Sequence, residues 1–315
     1  MDKGAAGLRW GVEQRLEFIE FRLLWEGGVN RSDITKHFGV SVPQASKDLT
    51  QYQAIAPENI TYDRSEKRYF AAQAFQPRFM RPDSDRYLSQ LRSVADGALA
   101  QEETWLSKPP PFESVPMPNR HVDPGILRAA LDAIREGQAL EIRYQSLSGS
   151  RPLPTWRWIS PHAFAFDGNR WHVRAFCHID WGFKDFLLPR ILKTRATANA
   201  EAGPRDDSDW NEIVSVALKP HPGLTDDQKR VIARDFGMKG ERLEVKVRLA
   251  LLYYLLRRLD LHDFKGEERP AREQHVILAS PEEVRWALKR AQRGLGSEDD
   301  NNAVVASAGQ DRKAD

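Results

Sequence analysis

Residues 107–121, "SKPPPFESVPMPNRH", hold five prolines in fifteen positions, three of them consecutive. Each proline fixes φ and removes a backbone donor, so this stretch can be neither helix interior nor central strand. A chain of 315 residues also exceeds what one core usually organises. The chain must therefore divide here. Before the break apolar residues recur at helical spacing; after it they alternate with period two.

Composition sets few further limits. Hydrophobic residues make up 41% and charged residues 29%, the balance of a globular protein. No apolar run is long enough to cross a bilayer, and "MDKGAAGLRW" has no apolar signal core, so a cytoplasmic protein without membrane contact is expected. Cys177 is the only cysteine, which excludes an intrachain disulfide and a cysteine metal cage. No cofactor is expected. Net charge is only +2, but residues 119–195 hold twelve basic against seven acidic residues, ten of the twelve being arginine. Guanidinium forks suit phosphates and carboxylates, so the excess points to an anionic partner or to a solvated basic surface.

The N-terminal segment, residues 1–76, reads as helix, helix, tight turn, helix and hairpin. Leu16, Ile19 and Leu23 with Phe18, Phe21 and Trp25 form a stripe that ends at a glycine pair. Asn30 is placed to cap a short second helix, closed by Gly39. Ser41 and Gln44 match a capping box for a helix over about 42–54, with Pro43 in its first turn and Val42, Ala45 and Leu49 buried. Past Pro57, "ITYD" and "RYFAA" flank a charged turn. That order is a winged helix-turn-helix. Packing leaves Gln44, Ser46, Lys47, Thr50 and Gln51 free to meet base edges and phosphates in a major groove. Arg64, Lys67 and Arg68 at the hairpin tip would reach the flanking DNA backbone. Asp48 is assigned a structural role, since a carboxylate beside phosphates is unfavourable. A plain three-helix bundle with a polar outer face is the alternative.

Residues 77–120 are expected to be a helical and proline-rich connector. In 121–200 a short helix capped by Asp123 precedes several antiparallel strands, including "TWRWIS", "HAFAF", "RWHVRAF" and "DFLLPRILKTRA", with a turn at Asp167-Gly168. Short strands in that order suggest a small barrel. Residues 205–294 alternate strands and helices as a small α+β domain, and 295–315 are polar enough to be a disordered tail. The fold class is multidomain α+β.

The stretch 139–197, with Tyr144 ending a strand, Ser160-Pro161 before the hairpin and Arg190-Ile191 near its end, resembles the WYL domain of bacterial transcription regulators. The signature Trp-Tyr-Leu is here Trp171-His172-Val173, a departure at two of three positions. Residues 15–63 resemble the winged helix of the WYL repressors tied to anti-phage defence islands of the CBASS and BREX kinds. The resemblance implies an Sm/SH3-like β-barrel for the middle domain, a homodimer, a palindromic double-stranded DNA operator, and a C-terminal extension that dimerises. It also implies a nucleotide or oligonucleotide effector at Tyr144, Ser160, His162, His172, Arg174 and Arg190.

The residues themselves agree in part. If Trp171 and Val173 face the core, His172 and Arg174 project together, and with Arg190 they could cradle a phosphate or carboxylate. Equally, they could pair with carboxylates such as Asp185. Trp156 and Trp158 are either stacking platforms or core. Hydrolase, nucleotide-loop and zinc-protease motifs are missing, and His162, His172 and His178 lack the carboxylate spacing of a metal site. An enzyme is therefore not expected. An Sm-like binder of single strands without operator specificity is the rival function.

Overall fold

The computed structural model describes residues 10–118, 120–147 and 151–294, divided into two compact units at Pro118–Asn119, inside the proline-rich stretch. The expected tail 295–315 and the end of the turn after Ser146 lie outside the described residues.

In the first unit α1 (Trp10–Trp25), α2 (Arg31–Phe38) and α3 (Val42–Ile55) enclose a core of Leu16, Phe18, Ile19, Ile34, Ala45, Leu49 and Tyr52. Asn30 and Asp33 cap α2 reciprocally, at 2.9 and 2.8 Å, and Gly39 ends it at φ 66°. Ser41 accepts from the Gln44 N–H, but Gln44 does not return the bond; its amide donates to Asp48 at 2.9 Å instead. Val42, expected in the buried stripe, is 56% exposed, and Tyr52 one turn beyond Leu49 fills that role. As expected, Asp48 is structural: it is buried against the Arg15 guanidinium at 2.6 Å.

The wing is β1 (Ile60–Asp63) paired antiparallel with β2 (Arg68–Ala71). Asp63 accepts from the Ser65 and Glu66 N–H groups at 2.7 and 3.0 Å, which shapes its tip. Much of the expected connector belongs to this unit. α4 (Ser84–Ala95) supplies Tyr87 and Leu91, which join Met80 and Leu106 around Phe21, and Trp105 stands edge-on to Phe18 and Phe21 at 5.6 and 5.4 Å. The Ser107 and Lys108 N–H groups donate to Glu26 at 2.8 and 2.7 Å.

The second unit opens with α5 (Pro124–Glu136), capped by Asp123, whose Ile126, Ala130 and Ala133 pack on an antiparallel sheet. Its strands are β3 (Gln138–Tyr144), β4 (Thr155–Phe166), β5 (Trp171–Cys177), β6 (Gly182–Leu187) and β7 (Ile191–Asn199), in the order β6-β5-β4-β3-β7. β6 and β7 stand at opposite edges yet are joined by only Leu188–Arg190. A flat five-stranded sheet would separate its edges by ~19 Å, and that turn spans at most ~14 Å. The sheet must curl, which is the geometry of a small barrel. "TWRWIS" and "HAFAF" are one strand, because the register slips between Pro161 and Ala163 and the bulge absorbs the proline without ending the ladder.

After α6 (Ser208–Asn211) come β8 (Ile213–Pro220), α7 (Asp226–Asp235), β9 (Leu243–Arg248), α8 (Leu252–Arg258), β10 (Val276–Leu278) and α9 (Pro281–Gly294). The three strands form an antiparallel sheet in the order β10-β8-β9, with Leu252, Leu256, Val284 and Leu288 in its core.

Gly28 shows how tightly the wing is tied to α1. It sits at φ +143°, and a Cβ there would lie 2.5 Å from the Tyr69 carbonyl oxygen, beside the Val29–Tyr69 pairing. Gly28→Ala should destabilise the protein by about 2 kcal/mol or more, seen as a lower urea midpoint at unchanged m-value.

Candidate nucleic-acid interface and anion-sensing face

On α3 the expected reading positions share the outward side. Lys47 is exposed, and neither Lys47 nor Gln51 has a side-chain partner among the described residues. Ser46 and Thr50 donate to the carbonyls of Val42 and Ser46, each at 2.9 Å, which leaves their oxygens able to accept. Gln44 is held by Asp48, and its amide oxygen has no partner among the described residues. At the wing tip Arg64 and Lys67 are exposed without a carboxylate partner among the described residues. Arg68 is placed differently from the expectation. Its guanidinium turns inward, donates to the Gly28 carbonyl at 2.6 Å and lies 3.9 Å from Asp33, because β2 begins at Arg68 and points it at the α1–α2 turn.

The second unit corrects the expected anion cradle more deeply. Trp171 is 51% exposed, not core, while Val173, Ala175 and Cys177 fill the inner face of β5. His172 and Arg174 do share the other face, but that face is covered. Arg174, 2% exposed, donates through Nε and Nη2 to Asp207 at 2.7 and 3.0 Å and through Nη1 to Asp185 at 3.4 Å. His172 donates from Nε2 to Asp167 at 3.0 Å and lies against the Tyr254 ring, 4.8 Å between centroids. Tyr254 in turn donates to Asp185 at 3.0 Å. The two residues are therefore occupied by the chain's own carboxylates, two of which sit beside one guanidinium.

The remaining expected effector residues are also structurally engaged. His162 is the extra residue of the β4 bulge, which swings its ring onto Asp207 at 2.9 Å. Ser160 bonds His178 Nε2 at 2.8 Å and accepts from the Glu201 N–H at 3.1 Å. Tyr144 is buried edge-on to Phe186, its hydroxyl accepting from the Leu187 N–H at 3.3 Å. Arg190 lies in the turn before β7, half-buried, off the strand that carries His172 and Arg174. Trp156 is half-buried under the Arg195 guanidinium at 4.1 Å, and Arg195 forks onto Glu141 at 2.6 Å. Among the described residues no cluster of histidine, cysteine and carboxylates could hold a metal ion.

Asp207 was not legible in advance. It sits in "GPRDDSDW", which has no periodicity, and is the cap of the four-residue α6. Burial alone would raise its carboxyl pKa, but bonds from His162 and Arg174 and the guanidinium charge outweigh it and hold it at about 2. A carboxyl depressed on folding contributes stability that is complete above its unfolded value and lost as pH falls through the folded one. Stability worth about 2 kcal/mol should therefore disappear between about pH 4 and pH 2. Asp207→Ala should lower stability at pH 7 by about 3–5 kcal/mol, because it strands a buried guanidinium. Urea titrations across that pH range check both, and a variant as stable as the parent would show that the pair is not a lock.

Residues 11–93 match the BrxR transcriptional regulator winged helix-turn-helix domain, residues 125–196 the WYL domain, and residues 213–284 the BrxR transcriptional regulator C-terminal dimerization domain. The chain is 39% identical over 294 residues to the DNA-binding transcriptional repressor CapW of Stenotrophomonas maltophilia, covering 93% of this chain and 97% of that protein. To CapW of Pseudomonas aeruginosa it is 42% identical over 268 residues, covering 85% and 89%. To CapW of Escherichia coli strain KTE188 it is 38% identical over 288 residues, covering 91% and 95%. With all three domains matched in one order and these relatives aligned almost end to end, the chain belongs to the WYL-domain transcriptional regulators of the BrxR and CapW kind.

Proposed function

We propose that this protein is a homodimeric, sequence-specific DNA-binding repressor of an anti-phage defence operon, relieved by an anionic effector bound to the second unit. The observation that carries the DNA-binding part is the outward side of α3. A helix fixed from below by Asp48, Leu49 and Tyr52 presents Lys47 and Gln51 without a side-chain partner among the described residues, as a recognition helix must. The exposed Arg64 and Lys67 at the wing extend the same basic character to the flanking backbone. Repression is the activity named for the CapW relatives, and the anti-phage setting follows the family.

Self-association has its own support in the C-terminal domain. α7 buries none of its residues, Val231 on it is 66% exposed, and Trp286 on α9 is 64% exposed. Apolar surface of this kind on a small domain is what an interface between copies covers. A dimer carries two copies of α3 and so matches a palindromic operator.

Light scattering should give twice the chain mass, and Val231→Glu should shift it towards the monomer. A protein that binds its operator as a monomer overturns the dimer. Gln51→Ala should relax base preference at particular operator positions at a cost of about 1–3 kcal/mol. Lys47→Ala should weaken binding to every sequence and flatten its salt dependence by about one unit. Titrations of duplex and single-stranded DNA at several salt concentrations separate the two effects. Preference for single strands with no duplex footprint would favour the Sm-like reading instead.

A further inference from the structure

Many arginines of the second unit are tied to the chain's own carboxylates, and several others hold none among the described residues. Arg230, Arg242, Arg269, Arg285 and Arg290 each hold a carboxylate, as do Arg174 and Arg195. Arg120, Arg257 and Arg258 hold none among the described residues, and these three line one cavity of about 260 Å³. The cavity lies between the β4–β5 turn and the end of α8. Its only carboxylate, Asp167, is already engaged: it accepts from Arg170 Nε at 2.9 Å, from His172 at 3.0 Å, and from the Asn169 and Arg170 N–H groups at 2.8 and 2.7 Å. That carboxyl is held at about 2: burial pushes it up, and the donors pull it down further. The carboxylate and its own arginine cancel, and among the described residues nothing compensates the three remaining guanidiniums.

Three like charges around one cavity repel, so their convergence costs stability unless an anion joins them. Gly168 holds one of them in position. At φ +96° it has no Cβ, and one placed there would lie 3.1 Å from Arg258 Nε, so Arg258 rests flat against the turn. Planar guanidinium forks match tetrahedral phosphate oxygens in pairs, whereas one carboxylate would neutralise only one of the three. A space of 260 Å³ falls below the range that encloses a drug-sized ligand, so it would hold a phosphate group or two and leave the rest of the molecule outside.

We propose that this cavity binds a phosphate-bearing anion, of the charge and size of a diphosphate, through Arg120, Arg257 and Arg258. Arg120 stands two positions past Pro118, at the end of the proline-rich stretch, so the anion would tie that end to the sheet and to α8. This consequence for regulation rests on the effector reading above; the binding does not.

The test is calorimetric titration of the full-length protein with sodium pyrophosphate at low salt. The Arg257→Ala/Arg258→Ala variant should bind about tenfold more weakly per guanidinium removed, whereas Arg234→Ala, outside the cavity, should bind as the parent does. Arg257 and Arg258 are both exposed, so the double variant should keep the parent's melting curve and, without pyrophosphate, its affinity for operator DNA. Displacement of pyrophosphate by a nucleoside triphosphate would assign a free nucleotide as the source. Displacement by a 5′-phosphorylated trinucleotide would assign an oligonucleotide end. No binding of pyrophosphate, displacement by neither competitor, or equal loss in Arg234→Ala overturns the site, while the operator titration reports separately on the repressor reading.

Discussion

A guanidinium removed from water needs a partner of opposite charge within hydrogen-bond reach, and Arg174 meets that requirement with groups distant in the sequence. Asp207 reaches it from the cap of α6 and Asp185 from the neighbouring strand β6. Asp207 also holds His162, and Asp185 also holds Tyr254 of α8. One buried cation therefore fastens the curled sheet to the C-terminal domain at two places. Apolar contacts alone would tolerate sliding between these elements, but a forked bond from Nε and Nη2 to two carboxylate oxygens fixes both distance and orientation. The line of the chain from Glu201 to Asn211, with little regular structure, is positioned by that pair and by the Glu201 N–H on Ser160.

The first unit solves a similar problem with the opposite sign. Glu20, fully buried on α1, accepts from the N–H groups of Arg78, Phe79 and Met80 at 2.7, 2.7 and 2.9 Å and from the Tyr52 hydroxyl at 3.1 Å. Burial pushes its carboxyl above the usual range, and these donors pull against that. The bonds anchor the strand-free segment after the wing to the first helix, and Tyr52 carries the same anchor to α3. Asn59 extends it, donating to Tyr52 and to the Gln76 carbonyl. The recognition helix is thus held from its buried side by Glu20 through Tyr52 and by Arg15 through Asp48, which leaves its outward side free of structural duty.

Local features were legible in the sequence and long-range ones were not. Asn30, Ser41 and Asp123 cap the helices they were expected to cap, and the wing, the Asp167-Gly168 turn and the alternating C-terminal elements stand where periodicity placed them. Each of these is decided within a few residues. Misplaced features depended on what covers a face. Period two correctly paired His172 with Arg174, but it could not say that α6 and α8 would close over them, nor that Trp171 at the strand end would be left outside. The same limit applies to Arg68, whose partner Gly28 lies forty residues away. The helix of the connector was legible, but its docking was not: Met80, Leu91, Trp105 and Leu106 are scattered along the stretch, and no local pattern shows that they meet at Phe21.

The arginine excess of residues 119–195 can now be divided by use. Arg174 and Arg195 are bound to Asp207 and Glu141, and Arg151 to Asp180 at 2.5 Å. These arginines stabilise the barrel and its attachment, and a basic count taken from the sequence overstates the charge left for a partner. What determines anion affinity is the uncompensated remainder and its geometry. Arg120 belongs to that remainder, and its companions Arg257 and Arg258 come from α8, outside the segment whose composition first suggested an anion. Because α8 is the helix whose Tyr254 bonds Asp185, the same short element both closes the Arg174 network and supplies Arg257 and Arg258 to the cavity. A shift of α8 would be felt at both, so an anion in the cavity would act on the same short helix that closes the Arg174 network.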